Sequence, residues 1–408
     1  MEKRKVPALR FKDFTQDWEQ RKLQKWVGAT YGGGTPATAN NEFWDGDIPW
    51  IQSSNVVEGE LFDVDVKKYL SKNGVMHSAA QLIPENSVAV VTHVGVGKLV
   101  FMSYSYTTSQ DFISLSDLKC VPKFLCYTLY KKLQEDLHVV QGSAIKGITK
   151  EDLMSKQIFL PDIDEQRRIA GALLSLDHFI TLHQRKLEKL KKIKKSMLEK
   201  MFPKNNEKIP EIRFSAFFND WEQRKLGELV SFAKGHGYSK SSLVDEGVPI
   251  VLYGRLYTDY ETIIKKLDTR AIPLDNSVYS IGGEVVVPAS GETADDIAIA
   301  SVVENAGVLL GGDLNILYPS NNINPTFLAI NITSGKPHCD IAQKAQGKSV
   351  VHVHNDDLAK VNLHYPNIKE QEKISNFQLM ITTLITLHQR KLEKLKKIKK
   401  SMLEKMFI

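Results

Sequence analysis

The sequence predicts an α+β protein in which two sheet-containing domains alternate with two long helices that pair with each other. Three observations predict it. Residues 180–202 and 385–407 both read ITLHQRKLEKLKKIKKSMLEKMF, identical at all 23 positions. The stretch PALRFKDFTQDWEQRKL at 7–23 returns as PEIRFSAFFNDWEQRKL at 210–226. Between these repeated pieces lie short β-branched runs broken by Gly, Pro and Asn, the pattern of compact sheet. A repeat of this kind fixes the domain count, and 408 residues have room for two or three domains.

Each half runs in the order opening segment, large middle, return segment, long helix. The opening segments share Pro7, Arg10, Phe11 and residues 17–23 with positions 203 residues on. The middles, 24–140 and 227–345, show no comparable similarity, although both carry strand-like runs such as SVAVVTHVGVGKLVFM (87–102) and EVVVPAS (284–290). The return segments, QGSAIKGITKEDLMSKQIFLPDIDEQRRI (141–169) and QGKSVVHVHNDDLAKVNLHYPNIKEQEKI (346–374), match more loosely. Read in sequence order, the boundaries are 1–161 for the first domain, 162–202 for its helix, 203–366 for the second domain and 367–408 for the second helix.

The helices follow from local chemistry. Pro161 and Pro366 stop the preceding chain, and Asp162 or Asn367 supplies an N-cap. Glu165 or Glu370, three residues later, is placed to reach back as the second member of a capping box. About 40 residues then pass without proline, long for a globular helix. Apolar residues recur at Leu173, Leu176, Ile180, Leu187, Leu190, Ile193, Met197 and Met201, with His183 filling one position. The second helix offers Leu387, Leu392, Leu395, Ile398, Met402 and Met406. This three-and-four alternation is a coiled-coil seam. A seam so narrow on so charged a helix needs a partner, and the second copy is the obvious one.

Composition narrows the class. Hydrophobic residues make up 42% and charged residues 25%, and no apolar run reaches the roughly 18 residues of a membrane span. MEKRKVPALRFKDF lacks the apolar stretch of a secretory signal. Cys120, Cys126 and Cys339 are too few and too irregular for a disulfide framework or a zinc site, which fits a reducing cytoplasm. Each copy of the repeat carries eight cations (Arg185, Lys186, Lys189, Lys191, Lys192, Lys194, Lys195, Lys200) against Glu188 and Glu199, a charge of +6. With +6 for the whole chain, the remaining residues sum to −6. Basic charge gathered on one element marks a polyanion partner or a solvated face.

The alternation of unlike middles with a repeated frame resembles the DNA specificity subunit of type I restriction-modification systems, over essentially the whole chain. The phrases carrying the resemblance are GGGTPATANNEFWDGDIPW, THVGVGKLV, TTSQDFISL, QGSAIKGI and DIDEQRRI in half one. Half two has DWEQRKLGELVSFAKGHGYSK, GGDLNIL, QGKSVVHV and IKEQEKI. The resemblance implies a noncatalytic protein whose two target-recognition domains each read half of a bipartite sequence on double-stranded DNA. It implies that the helices lie antiparallel as a coiled coil, pseudo-twofold symmetric, setting the spacer and docking two methyltransferase subunits. Restriction subunits, two of them, would join. No cofactor is expected on this chain; S-adenosylmethionine belongs to the methyltransferase, and ATP and Mg to the restriction subunit. The geometry is compatible, since 23 helical residues span about 34 Å, one turn of B-DNA.

DNA readout calls for side chains that reach base edges and others that hold phosphates. Half one offers Lys98, the run Ser103, Tyr104, Ser105, Tyr106, Thr107 through Gln110, and Ser143 and Lys146 in QGSAIKG. Half two offers Lys234, His236, Tyr238, Ser239 and Lys240, then Arg255, Tyr257 and Thr258 after a strand, and Lys344, Lys348 and Ser349 in the return loop. Competing chemistries are weaker. QGKS ends like a phosphate-binding loop, but Ala342 stands where its first glycine belongs. GVGK at 95–98 is equally short of a motif. His352 and His354 would share one strand face without a third ligand, and Asp117, Lys119 and Glu85 form only a chance-level nuclease set. A free-standing DNA-binding regulator would share the bipartite readout but need no partner subunit, and a pure coiled-coil scaffold would show no sequence preference on DNA.

Overall fold

A computed structural model describes residues 6–139, 147–204, 207–347 and 350–408. The chain forms two compact units, Met1–His183 with Lys391–Ile408, and Gln184–Arg390. The division therefore falls inside both long helices, Ile163–Lys200 and Ile368–Lys405, rather than at the sequence-order boundaries. The cause is chemical: the Met-Phe end of each helix is apolar and completes the core of the unit in which the other helix begins.

In the first unit an antiparallel sheet has the order Val27–Gly32, Phe112–Leu118, Ser87–Val91, Leu99–Met102. A smaller sheet pairs Ile48–Ile51 antiparallel with Lys68–Leu70 and parallel with Thr107–Thr108. The helix Pro122–Val139 packs on the main core. In the second unit the order is Val230–Lys234, Leu314–Pro319, Val285–Pro288, Ser301–Val303, extended by Ile263–Ile264. There Val248–Val251 runs parallel to Leu309–Leu310. The two dissimilar middles thus build one topology.

The repeated residues are the joints of this frame. DWEQRKL supplies the strands Glu19–Lys22 and Glu222–Lys225, paired antiparallel with Gln157–Leu160 and Asn362–Tyr365. Its tryptophans are buried at 1% and 2% exposure. Trp18 packs edge-on against Phe124 at 5.8 Å and Phe407 at 6.4 Å; Trp221 meets Phe327 at 5.8 Å and Phe202 at 6.0 Å.

The helix starts are capped as the sequence indicates, with Asp162 Oδ1 accepting the Glu165 N–H at 2.9 Å and Asn367 Oδ1 that of Glu370 at 3.1 Å. The reach back of the acid is corrected. Glu165 is fully buried and holds the Arg10 guanidinium through two 2.7 Å bonds; Glu370 holds Arg213 at 2.7 and 2.8 Å. A fork-to-fork charged pair outcompetes one backbone bond, and the carboxylate raises the pKa of each arginine. The next residue repeats too. Gln166 accepts the Val121 N–H and donates to the Pro161 carbonyl, both at 2.8 Å; Gln371 does the same with Asn324 and Pro366 at 2.8 Å.

Within each unit the start of one helix lies along the end of the other, so the pairing is antiparallel. In the first unit Ile180 is buried, Met402 and Leu403 pack on the core that holds Leu173, and Lys399 Nζ reaches Asp177 at 2.5 Å. Tyr127 donates its hydroxyl to the same carboxylate at 2.6 Å. In the second unit Ile374 and Met201 are buried and Met197 packs beside them. The Gln378 amide also approaches the Met201 sulfur at 4.0 Å. Met201 and Met406 are buried, while Leu176, His183, Leu187, Leu190, Ile193, Met197, Leu392, Leu395 and Met402 are half-buried. Two seam expectations are corrected: Leu387 is 45% and Ile398 39% exposed. The run Ile381, Leu384, Ile385, His388 turns inward, which leaves Leu387 on the outer side of the helix.

One buried acid stands outside the frame. Glu284, 1% exposed, accepts the Ile281 N–H at 3.2 Å through one oxygen, and its other oxygen has no partner among the described residues. Burial raises its pKa, against the pull of the loop amides. The folded state therefore keeps the proton longer than the unfolded chain. Stability contributed here is present at acid pH and falls as pH rises from the ordinary carboxylate range through the folded value. Glu284→Gln is expected to remove that part of the pH dependence, stabilising the second unit at neutral pH but not at pH 4. Parallel melting curves for the two proteins would check it, and the same difference at both pH values would refute it.

Candidate nucleic-acid interface

In the first unit the glycine run leaves the strand Val27–Gly32 and crosses the segment after Thr107–Thr108. A Cβ on Gly33 would run into the Ser109 carbonyl. The Gly34 N–H donates to the Thr108 carbonyl at 2.8 Å, and Trp50 Nε1 fixes the Gly34 carbonyl at 3.0 Å. Just past the crossing, Thr35 and Gln110 are exposed, and the Thr35 hydroxyl donates to Gln110 Oε1 at 2.8 Å. The Thr92 N–H donates to the Asp111 carbonyl and the Ile148 N–H to the Thr92 carbonyl, both at 2.8 Å. Three loops and the root of the return segment therefore converge.

Of the residues expected to meet DNA, this convergence gathers Lys98 and Gln110. Lys98 is half-buried at the foot of the 92–98 hairpin, where its carbonyl accepts the Val91 N–H at 2.9 Å. Exposed His93 and Thr35 belong to the same place and were not among the expected residues; three glycines followed by a small polar residue were the available signal. Ser103, Tyr104 and Ser105 are exposed but lie past the other end of Leu99–Met102. There partial burial, Tyr69 and Asp63 raise the Tyr104 pKa. Tyr106 and Thr107 are corrected to core residues, both at 0% exposure. The Tyr106 hydroxyl donates to Ser114 at 3.0 Å and accepts from Ser87 at 3.2 Å, with burial pushing its pKa up to about 12. The Thr107 hydroxyl donates to the Pro49 carbonyl at 2.9 Å. Parallel pairing with Ile48–Ile51 draws this donor-rich run inside. Ser143 and Lys146 lie outside the described residues.

The second unit repeats the crossing with other residues. A Cβ on Gly235 would run into the Gly311 carbonyl, and one on Gly312 into Gly237. The His236 N–H donates to the Leu310 carbonyl at 3.0 Å, Ala289 N–H to Asp313 at 2.7 Å, and Val353 N–H to Ala289 at 3.0 Å. Gly235, His236 and Gly237 thus stand where Gly33, Gly34 and Thr35 do, and LGGD (310–313) where TSQD (108–111) does. Lys234 is exposed, and His236 packs edge-on against Tyr238 at 5.9 Å. Tyr238 anchors this loop through Ser277 at 2.6 Å. Ser239 is exposed and bonded to Ser241 at 2.6 Å, and Lys240 begins the 3-10 turn Lys240–Ser242.

Arg255 is corrected. It sits in the short helix Arg255–Thr258 and is tied to Asp259 at 3.1 Å and Glu261 at 2.8 Å, so its charge is neutralised locally. Thr258 bonds the Gly254 carbonyl at 2.9 Å. Half-buried Tyr257 has its pKa raised by burial, then by Tyr253, Glu292 and Asp296, surroundings that would repel phosphate. Lys344 is half-buried at the end of Lys336–Lys344; Lys348 and Ser349 lie outside the described residues. His352 and His354 do not share a strand face, because the strand Val351–His352 stops before His354, which begins the helix Asn355–Ala359. Among the described residues no group of three His, Cys, Asp or Glu side chains could hold a metal ion, and no helix is long and apolar enough to cross a membrane.

The family model for the type I restriction modification DNA specificity domain matches residues 15–192 and again 219–397. The chain belongs to this family. It carries this DNA specificity domain twice, once in each half. It is 24% identical over 255 residues to the Methanocaldococcus jannaschii MjaIX specificity subunit, covering 58% of this chain and 56% of that one. It is 30% identical over 182 residues to the Escherichia coli EcoR124I/EcoR124II specificity subunit, covering 43% of each. The match thus spans about half the length of these two relatives. With the MjaVIII specificity subunit of M. jannaschii, identity is 21% with 95% and 91% covered. The solved S subunit from M. genitalium has the same fold, with a TM-score of 0.63 at 15% identity over 99% of both chains.

Proposed function

We propose that this specificity subunit reads a bipartite sequence on double-stranded DNA, one half through each recognition domain. The paired helices set the spacer and dock two methyltransferase subunits, and restriction subunits join them, so that bound DNA is directed to adenine methylation or to restriction. S-adenosylmethionine belongs to the methyltransferase in this scheme, and ATP and Mg to the restriction subunit. One observation carries the reading: two unrelated middles build the same loop convergence on a repeated frame, which is what two readers of different sequences on one scaffold require. A solved structure of 16% identity and TM-score 0.50, described as showing complex assembly of a type I R-M system, is compatible with the partners.

Exchanging residues 24–140 for the corresponding segment of another specificity subunit tests the proposal. Methylome sequencing of cells expressing the hybrid with a methyltransferase subunit is expected to show one altered half-site, with the other half and the spacer unchanged. Change in both halves, or in neither, would defeat it.

A further inference from the structure

Superposed by their hydrogen bonds, the two domains share one backbone crossing but not its decoration. In the first, Thr35 and Gln110 face each other across it; in the second, their counterparts are Gly237 and Gly312, and a Cβ on Gly312 would run into the Gly237 backbone. A Thr–Gln pair is not needed to hold the crossing, since the second domain makes it without side chains. Both residues are exposed, so the pair adds no core. The Thr35 hydroxyl occupies one lone pair of Gln110 Oε1 and fixes the plane of the amide. The second lone pair and the two Nε2 hydrogens stay side by side, an acceptor beside a donor. That array matches the N6 donor and N7 acceptor on the major-groove edge of adenine, and glutamine meets adenine bidentately this way.

We propose that Gln110, positioned by Thr35, selects an adenine in the half-site of the first domain, and that the second domain presents bare backbone at the same place. This rests on the reading of the chain as a DNA sequence reader. Because Thr35 acts through Gln110, it is a positioning residue. Lys98 and exposed His93 lie on the neighbouring hairpin, whose root is tied to the Asp111 carbonyl.

The test is selection from a randomised duplex library by the full-length chain bound to its methyltransferase subunit, for the parent and four variants. Gln110→Ala is expected to flatten one position of one half-site, with the roughly 10-fold or greater preference for adenine lost and every other position kept. Gln110→Glu, an acceptor only, is expected to move that position towards cytosine through its N4 amino group. Thr35→Val is expected to weaken the same position, and Thr35→Ser to restore it. Unchanged preference at every position in Gln110→Ala, or uniform loss of binding to all sequences while the melting temperature is retained, overturns the proposal. The 24–140 exchange, run beside it, separates the two failures. If the exchange alters one half-site and Gln110→Ala alters none, only the residue assignment falls; if the exchange alters none, the reading of the chain falls.

Discussion

Arg10→Ala is expected to destabilise the first unit by about 3–5 kcal/mol, because it leaves a carboxylate buried without its counter-charge. Glu165 is at 0% side-chain exposure, and Arg10, at 12%, is the group that offsets its desolvation through two hydrogen bonds. The size of the effect comes from the stranded acid rather than from the strength of the pair. Arg10→Met with Glu165→Leu, which removes both charges and keeps the volume, should therefore cost much less than the single change. Arg213→Ala should act likewise on the second unit, where Glu370 is equally buried. Amide exchange read separately over 6–22 and 208–225 would locate the loss. A cost below about 1 kcal/mol for Arg10→Ala would mean that Glu165 is solvated or neutral in the folded chain.

The second large effect lies at the helix ends. Phe407→Ala should cost the first unit about 3–5 kcal/mol, the usual range for truncating a buried phenylalanine. Phe407 is 4% exposed, 5.2 Å from Phe124, and packed edge-on to Trp18. Phe202→Ala should do the same to the second unit, where Phe202 is 5% exposed and 5.7 Å from Phe327. The two variants share one substitution in one local sequence yet should raise amide exchange in different places, 18–30 and 120–133 for the first, 221–232 and 325–332 for the second. Equal protection loss in both units from either variant would contradict the assignment of each helix end to one core.

The repeated parts were the legible parts. DWEQRKL, the proline stops and the 23-residue helix can be compared with their own second copies, so the repeated frame, its caps and its seam follow from internal agreement, whereas the strands that DWEQRKL forms do not. The pairing of Glu165 with Arg10 is not legible, because the two lie 155 residues apart and local spacing carries no trace of such a partner. The candidate interface was half legible. Gln110 and Lys98 were marked by type alone. Tyr106 and Thr107 were marked by the same rule and proved to be core, since a donor-rich run gives no sign of which of its members a parallel neighbour will cover. Arg255 shows the reverse case: its chemistry suits phosphate, but Asp259 and Glu261 are close enough in sequence that their claim on it could have been anticipated.

That the Met-Phe end of the second helix closes the first unit has a temporal consequence. Residues 391–408 complete a core begun by residues 1–183, and the whole of the other unit, residues 184–390, lies between them. A ribosome adding about 5–20 residues per second needs roughly 10–40 s to cross that interval. The second unit is continuous in sequence and can finish as soon as it emerges. The first must wait with Trp18 and Phe124 lacking the Phe407 ring that covers them. The half synthesised first is therefore expected to fold last, with its socket for Phe407 open through that delay.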